Sequence, residues 1–254
     1  MDKSHNIGLC VNAPAQRMCI ETGGETVALA RKIQIDRLSI ADQVYEHTRS
    51  AILRGELPQG SRVIEAQIAK TLGISRAPVR EAVNRLLQDG LLESKTHFGP
   101  SVIQMTSDKI RYLYDLRAAI EGLAIREVVR RLAHLDLTPL RSCIVEMKRR
   151  ARKKDLAGLV EAELEFHRIL CSLAENPYVI KVSTMLDAQV RMALTIDNSH
   201  YTNLSDVADE HEPIVNAIES GDTETAASLI QSHILSSLNV MTAKNSAGKA
   251  RPRK

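Results

Sequence analysis

From residue 39 onward the apolar positions of this chain recur mainly at helical spacing. Ile40, Val44, Thr48, Ile52 and Leu53 give one apolar face to a first helix, opened by Ser39 with Asp42 as a short capping box and stopped at Gly55. Pro58 and Gly60 turn the chain into a short extended piece at residues 62–64. A second helix over 65–72 points Ile68, Ala69 and Leu72 inward, and Gly73 supplies a left-handed turn that a Cβ would resist. Ser75 caps a third helix, with Pro78 in the first turn, where a missing N–H costs no intrahelical bond. Val79, Val83, Leu86 and Leu87 form its buried face, and Asp89-Gly90 ends it. LLE, SKTHFGP and SVI then read as strand, turn and strand, with Lys95, Thr96 and His97 at or near the tip.

After Met105 no strand pattern returns. Ser107 caps a long helix with apolar positions Ile110, Leu113, Leu116, Ile120, Leu123 and Val128. Thr138-Pro139 opens a second, to about residue 154, and a third runs from Leu156 to about Ala174. Asn176-Pro177 repeats the cap-proline signal and starts a fourth, to about Ile196. Two more follow over 205–220 and 222–242, parted by Gly221 with Asp222 as cap. The fold class is therefore mainly α: an N-terminal winged helix-turn-helix plus a C-terminal all-helical bundle. The expected divisions are a flexible extension (1–36), the winged head (37–104), the bundle (105–243) and a basic disordered tail (244–254).

Composition narrows this picture without redirecting it. Apolar residues at 44% and charged residues at 26% mark a globular chain, and 3% aromatics with no Trp suit helices better than strands. A net charge of +3 permits nucleic-acid binding but does not argue for it, since distribution matters more than the sum. Cys10, Cys19, Cys143 and Cys171 form no CxxC pair and read as free thiols of a reducing compartment. There is no apolar run of membrane-spanning length, and the patch Ile7–Val11 is too short for a signal-peptide core, so a cytoplasmic protein without membrane association is expected. The basic run at 148–154 reads as a solvated helix C-terminus favoured by the macrodipole.

Arg76 and Arg80 are four residues apart and share the face of the third helix that points away from its core. A guanidinium there can donate two hydrogen bonds to O6 and N7 of guanine in a major groove. PQGSRVIEAQIAKTLGISRAPVREAVNRLLQDGLL, with the preceding helix and the FG of the wing, closely resembles the DNA-binding domain of GntR-type bacterial transcriptional regulators over residues 39–103. The resemblance implies that Arg76 and Arg80 approach guanine edges and phosphates, flanked by Ser75 and Ala77. It also implies that Lys95, Thr96, His97 and Gly99 bring the wing near the minor groove. Ala66 stands where some members carry a further arginine.

In the bundle, Glu163 and His167 lie one turn apart beside Leu159, Leu170 and Ala174. His211 keeps company with Val207, Ile214, Val215 and Ile218, and His233 follows Leu229 and Ile230. One carboxylate and three imidazoles thus sit near apolar faces of three helices, where a bundle interior can gather them around a divalent cation. Each histidine alone reads more readily as a satisfied, partly buried side chain than as a ligand. The stretches ELEFHRILCSLAENP, EHEPIVNAIESGDTETAASLIQSHI and YDLRAAIEGLA resemble the effector-binding FCD domain of the FadR-like branch of this family. Many FCD domains hold a metal with an aspartate and three histidines. The resemblance places Glu163, with a longer arm, at the aspartate position and His167, His211 and His233 at the others, for a metal of the Zn, Ni or Mn class.

By the same resemblance Arg117 faces an effector pocket and pairs with a carboxylate. From the residues alone it is as readily an intrahelical partner of Glu121. Asn176 and Arg191 are further effector candidates, with Asp187 of the same kind, although Asn176 already serves as a helix cap. The function expected is a homodimeric repressor. It would read an inverted-repeat operator in double-stranded DNA and answer to a small carboxylate-containing effector, with the link at 104–107 carrying the response. The alternatives are a metalloenzyme built on the bundle, for which no separate general base or nucleophile motif is visible, and a non-specific architectural DNA binder.

Overall fold

In the computed structural model the described residues are 18–22, 25–29, 39–95 and 99–248, with side chains described over 39–94 and 99–236. Two strands, β1 (Met18–Thr22) and β2 (Glu25–Leu29), pair antiparallel with Thr22 opposite Glu25. They fall inside the segment expected to be a flexible extension and belong to a unit of their own. The local sequence accounts for the pairing: β-branched Ile20, Thr22, Thr26 and Val27 flank Gly23-Gly24, a pair favoured in two-residue hairpin connections. The rest of the expected extension, and residues 249–254 of the expected tail, lie outside the described residues.

The head is built from α1 (Ile40–Leu53), α2 (Glu65–Leu72) and α3 (Arg76–Gln88), followed by a wing of β3 (Leu92–Lys95) and β4 (Gly99–Val102). The wing strands are antiparallel, with Leu92 opposite Val102 and Lys95 opposite Gly99. Residues 62–64 add an edge to it, for Val63 donates its N–H to the Pro100 carbonyl at 2.8 Å. Val44, Ile52, Val63, Ala69, Val79, Val83, Leu86, Leu91 and Val102 are buried together as the head's core. Gly73 adopts φ +65, and the next amide closes on the Ala69 carbonyl at 3.0 Å, which sets α3 across α2. Ser75 has extended N-cap geometry, but its side chain bonds no helix amide. Leu72, expected inside, is 44% exposed: α2 is short and buries only Ala69 fully. Asp42 to Arg85 at 2.5 Å, and Arg85 stacked over the Tyr45 ring at 4.2 Å, tie α1 to α3.

The bundle comprises α4 (Ser107–Arg130), α5 (Thr138–Arg152), α6 (Leu156–Leu173), α7 (Pro177–Asn198), α8 (Ser205–Glu219) and α9 (Thr223–Gly248), with a 3-10 turn at Leu132–His134. α4 runs along α9 and touches α6 and α7, while α5 packs on α6 and α8. Caps explain most boundaries. Asp155 accepts from the Gly158 amide at 2.9 Å, Asn176 from Tyr178 at 3.0 Å, and Asp222 from Thr225 at 3.1 Å. Two expected caps shift by one residue: Thr106, not Ser107, accepts from Lys109 at 3.3 Å, and Thr138 is already helical, its amide held by Asp136. α9 passes its expected end at residue 242 and covers part of the expected tail, because no strong breaker precedes Gly248.

The inward face of α4 also differs from its hydrophobic reading. Tyr114, Arg117, Glu121 and Gly122 are buried, whereas Leu116 and Leu123 are 44% and 43% exposed. The paired charges claim the inside and rotate the leucines outward. From Ile40 on, head and bundle pack as one compact unit. Lys109 of α4 meets Glu93 of the wing at 2.6 Å, and the Met105 amide donates to Gln59 at 2.9 Å. Gly90, at φ +68 behind α3, abuts α7 so closely that a Cβ there would lie 2.0 Å from Gln189 Nε2.

Candidate metal centre and nucleic-acid interface

Three helices of the bundle deliver four polar side chains to one buried point. α6 brings Glu163 and His167, α8 His211 and α9 His233, and one ligand atom from each lies within 4.8 Å of the others. Burial in an apolar interior sets the protonation of this cluster. It holds the His167 and His211 imidazoliums well below their ordinary range, reinforced by neighbouring positive charge, and lowers His233 to about 4. Burial likewise raises the Glu163 carboxyl to about 7, against the Asn198 hydrogen bond that lowers it.

The outer contacts decide which nitrogens face inward. His211 Nδ1 is 2.7 Å from the Val207 carbonyl, which only accepts, so the hydrogen sits on Nδ1 and Nε2 keeps its lone pair. His167 Nδ1 is 2.5 Å from Glu121 Oε2, which favours the same tautomer. With both imidazoles in that tautomer, the two Nε2 atoms, 3.3 Å apart, face each other as lone pairs. Two lone pairs at that separation repel, and a shared cation turns the repulsion into ligation. Neutral imidazoles and a carboxylate are the donors divalent transition metals take. The residues therefore fit a metal, with Glu163 drawn in among the imidazoles despite its extra methylene.

Sequence reasoning missed the supporting shell. Glu121 links Arg117 (Nε to Oε1, 2.7 Å) to His167. Asn198 donates to Glu163 Oε2 at 2.6 Å, and Glu210 Oε2 lies 3.2 Å from His233 Nδ1 while accepting from the Tyr201 hydroxyl. Phe166 sets its ring edge against His167 and His211. Only the Arg117–Glu121 spacing carried a signal for this shell; the rest is tertiary.

The effector candidates separate. Arg117 is buried, forms the expected ion pair with Glu121, and keeps Nη2 without a partner. It borders a cavity of about 30 Å³ lined also by Glu121, Leu164, His167, Asp187 and Val190. That volume admits a water or two. Asp187 is clamped by Arg168 at 2.6 and 2.8 Å. Arg191 pairs with Glu161, its charge disfavoured by burial and by Arg49. Asn176 spends its side chain capping α7 and is not among the residues that line this cavity.

On the head, Ser75, Arg76, Ala77 and Arg80 are all exposed at the start of α3, as a reader of DNA requires. Arg80 lies 3.5 Å from Glu65 of α2. Gly99 opens β4 at φ +73 and Lys95 ends β3, while Thr96 and His97 at the wing tip lie outside the described residues. Three of the six basic residues at 148–154 are answered within the bundle: Lys148 by Glu212, Arg149 by Glu146, and Arg150 by Glu146 and Asp155. Among the described residues no helix is long and apolar enough to cross a membrane.

A winged helix-turn-helix with an arginine-bearing recognition helix, joined to a helical domain with a buried carboxylate–histidine centre, defines a class of DNA-binding transcriptional regulator. Residues 40–102 match the gntR family of bacterial regulatory proteins, and residues 112–236 match the FCD domain. The chain is 34% identical over 201 residues to the probable D-xylose utilization operon transcriptional repressor of Paenarthrobacter nicotinovorans, covering 79% of this chain and 88% of that one. It is 26% identical over 197 residues to the gluconate operon transcriptional repressor of Bacillus subtilis (74% and 79%). A solved structure from Rhodococcus sp. RHA1, assigned as a GntR transcriptional regulator, shares the fold with TM-score 0.67 and 23% identity over 80% of this chain and 98% of that one. The chain belongs to the GntR family and carries an FCD domain.

Proposed function

We propose that this regulator is a cytoplasmic, homodimeric repressor whose hold on an inverted-repeat operator is set by a small organic acid bound in the FCD domain beside a divalent metal. The observation that carries the proposal is the buried convergence of Glu163, His167, His211 and His233, with one ligand atom of each within 4.8 Å of the others and the His167 and His211 Nε2 atoms 3.3 Å apart. Glu163, His167, His211 and His233 would hold the metal, which when bound supplies a Lewis-acidic docking point for a carboxylate oxygen. Glu121, Val207 and Asn198 orient the ligands, and Arg117, with Nη2 unspent, offers charge to an acid arriving at the same place. Arg76 and Arg80 would read guanines, with Ser75, Ala77, Lys95, Thr96, His97 and Gly99 contacting the backbone or minor groove. That the relatives are transcriptional regulators favours this reading over a metalloenzyme on the same bundle.

Control needs a route from the acid to the recognition helix, and α7 supports one in addition to the link at 104–107. Arg168, Cys171, Ser183 and Asp187 line both the small cavity beside Arg117 and a larger cleft of about 340 Å³ facing Tyr45, Arg49 and Asp89 of the head. Two residues beyond Asp187, Gln189 presses on Gly90 behind α3. An acid larger than the 30 Å³ cavity must displace that shared wall, and α7 carries the displacement to the head. The relative named for the gluconate operon puts sugar acids first in a screen, and the one named for the D-xylose operon adds a neutral sugar as a comparison. Metal-loaded protein should change its operator affinity at least tenfold with one such acid, measured by fluorescence anisotropy at fixed salt. Equal affinity across a broad acid panel would contradict the proposal.

A further inference from the structure

Arg117 cannot grip a carboxylate alone with its full fork. Its Nε is committed to Glu121, which leaves Nη2 as the buried donor without a partner. A carboxylate has about four lone-pair sites to satisfy, so in a dry site a second donor must come from elsewhere. Tyr114 is fully buried one turn before Arg117 on α4, its ring centre 5.7 Å from the guanidinium carbon. Its hydroxyl is buried and likewise has no hydrogen-bond partner. Asp197, Arg117 and Glu163 are near enough to act electrostatically on it, and Arg117 connects it to the small cavity, which Tyr114 itself does not line. A core position that wanted only an aromatic ring would be better served by phenylalanine, because an unmade buried hydrogen bond is destabilising.

We infer that the Tyr114 hydroxyl is a ligand donor of the FCD site, acting with Arg117 Nη2 to hold two oxygens of a bound organic acid and to set which acids are accepted. This rests on the effector reading above. A neutral hydroxyl adds direction without adding charge, and a site built around such a donor rejects analogues that cannot use it.

The test uses the full chain loaded with zinc and titrated calorimetrically with acetate, malonate, citrate and gluconate as mono-, di-, tricarboxylate and sugar-acid probes. Tyr114→Phe should weaken the tightest-binding probe about tenfold or more. It should leave zinc stoichiometry unchanged and the melting temperature of acid-free protein unchanged or higher. Equal dissociation constants for wild type and Tyr114→Phe would overturn the inference while leaving the effector reading intact. A marked fall in acid-free melting temperature would make the hydroxyl structural and also overturn it. Failure of the wild type to bind any of the probes would count against the effector reading and remove the inference with it.

Discussion

Glu163 and His233 show how much of this centre's behaviour follows from burial. The Glu163 carboxyl, raised to about 7, favours the metal-free fold while protonated, a contribution present below the ordinary carboxyl range and lost as pH rises through 7. His233, lowered to about 4, behaves oppositely: its contribution is present above about 6.5 and lost as pH falls toward 4, on the order of 3 kcal/mol. His167 and His211 shift in the same direction as His233. Ligation needs the carboxylate ionised and the imidazoles neutral; the imidazoles already are neutral above pH 5, so metal affinity should climb from pH 5 to 7 with about one proton, that of Glu163, released on binding. Calorimetry in buffers of differing ionisation heat measures that release; pH-independent affinity would mean that these groups are not the ligands.

At this scale the sequence was legible where chemistry and helical spacing coincide. Glu163 and His167 one turn apart, and His211 and His233 beside apolar stripes, were enough to nominate the cluster. Glu121, Asn198, Glu210 and Tyr114 were not nominated, because a polar residue on a helix carries no mark of which neighbour it will meet. The Asn176 cap, by contrast, was readable from the Asn-Pro pair, and its side chain accepts from the Tyr178 and Val179 amides as that pair suggests.

Among elements, α4 is the most informative. Tyr112, Leu116, Ala119 and Leu123 follow one another at three- and four-residue steps along its outer face, all exposed. A second copy of the chain would cover such a stripe in the proposed dimer. Leu116→Glu with Leu123→Glu should therefore shift the protein toward monomer in light scattering, while far-ultraviolet helicity stays near wild type because both sites face solvent. An unchanged dimer would move the interface elsewhere. The helices and their order were readable from period and caps, since Pro139, Asn176-Pro177 and Gly221 punctuate the chain. What escaped was the rotation of α4 about its axis. Burial of the Arg117–Glu121 pair outranks the hydrophobicity of two leucines, and no single-helix pattern contains that comparison. The hairpin at β1 and β2 escaped because five-residue strands give too short a period to register beside glycines.

The whole molecule joins a DNA-reading head to the proposed sensor, and each half can be tested on its own. Arg76→Ala should weaken operator binding by about 1–3 kcal/mol and relax base preference at one position. Competition between operators altered at single positions measures this, and an equal loss on every sequence would reduce Arg76 to a phosphate contact. Head and bundle match separate family models, and Gly90 against Gln189 and Glu93 against Lys109 are the contacts that bring the two together. Contacts between domains leave little trace in either domain's periodicity, so this coupling was invisible in the sequence.

The most direct test of the central claim is the metal content of the full-length protein after equilibration with zinc, nickel or manganese and removal of excess. One divalent ion per chain, lost on His167→Ala while the helical signal persists, is the predicted result. No bound metal in the wild type, or the same stoichiometry in His167→Ala, would contradict the account.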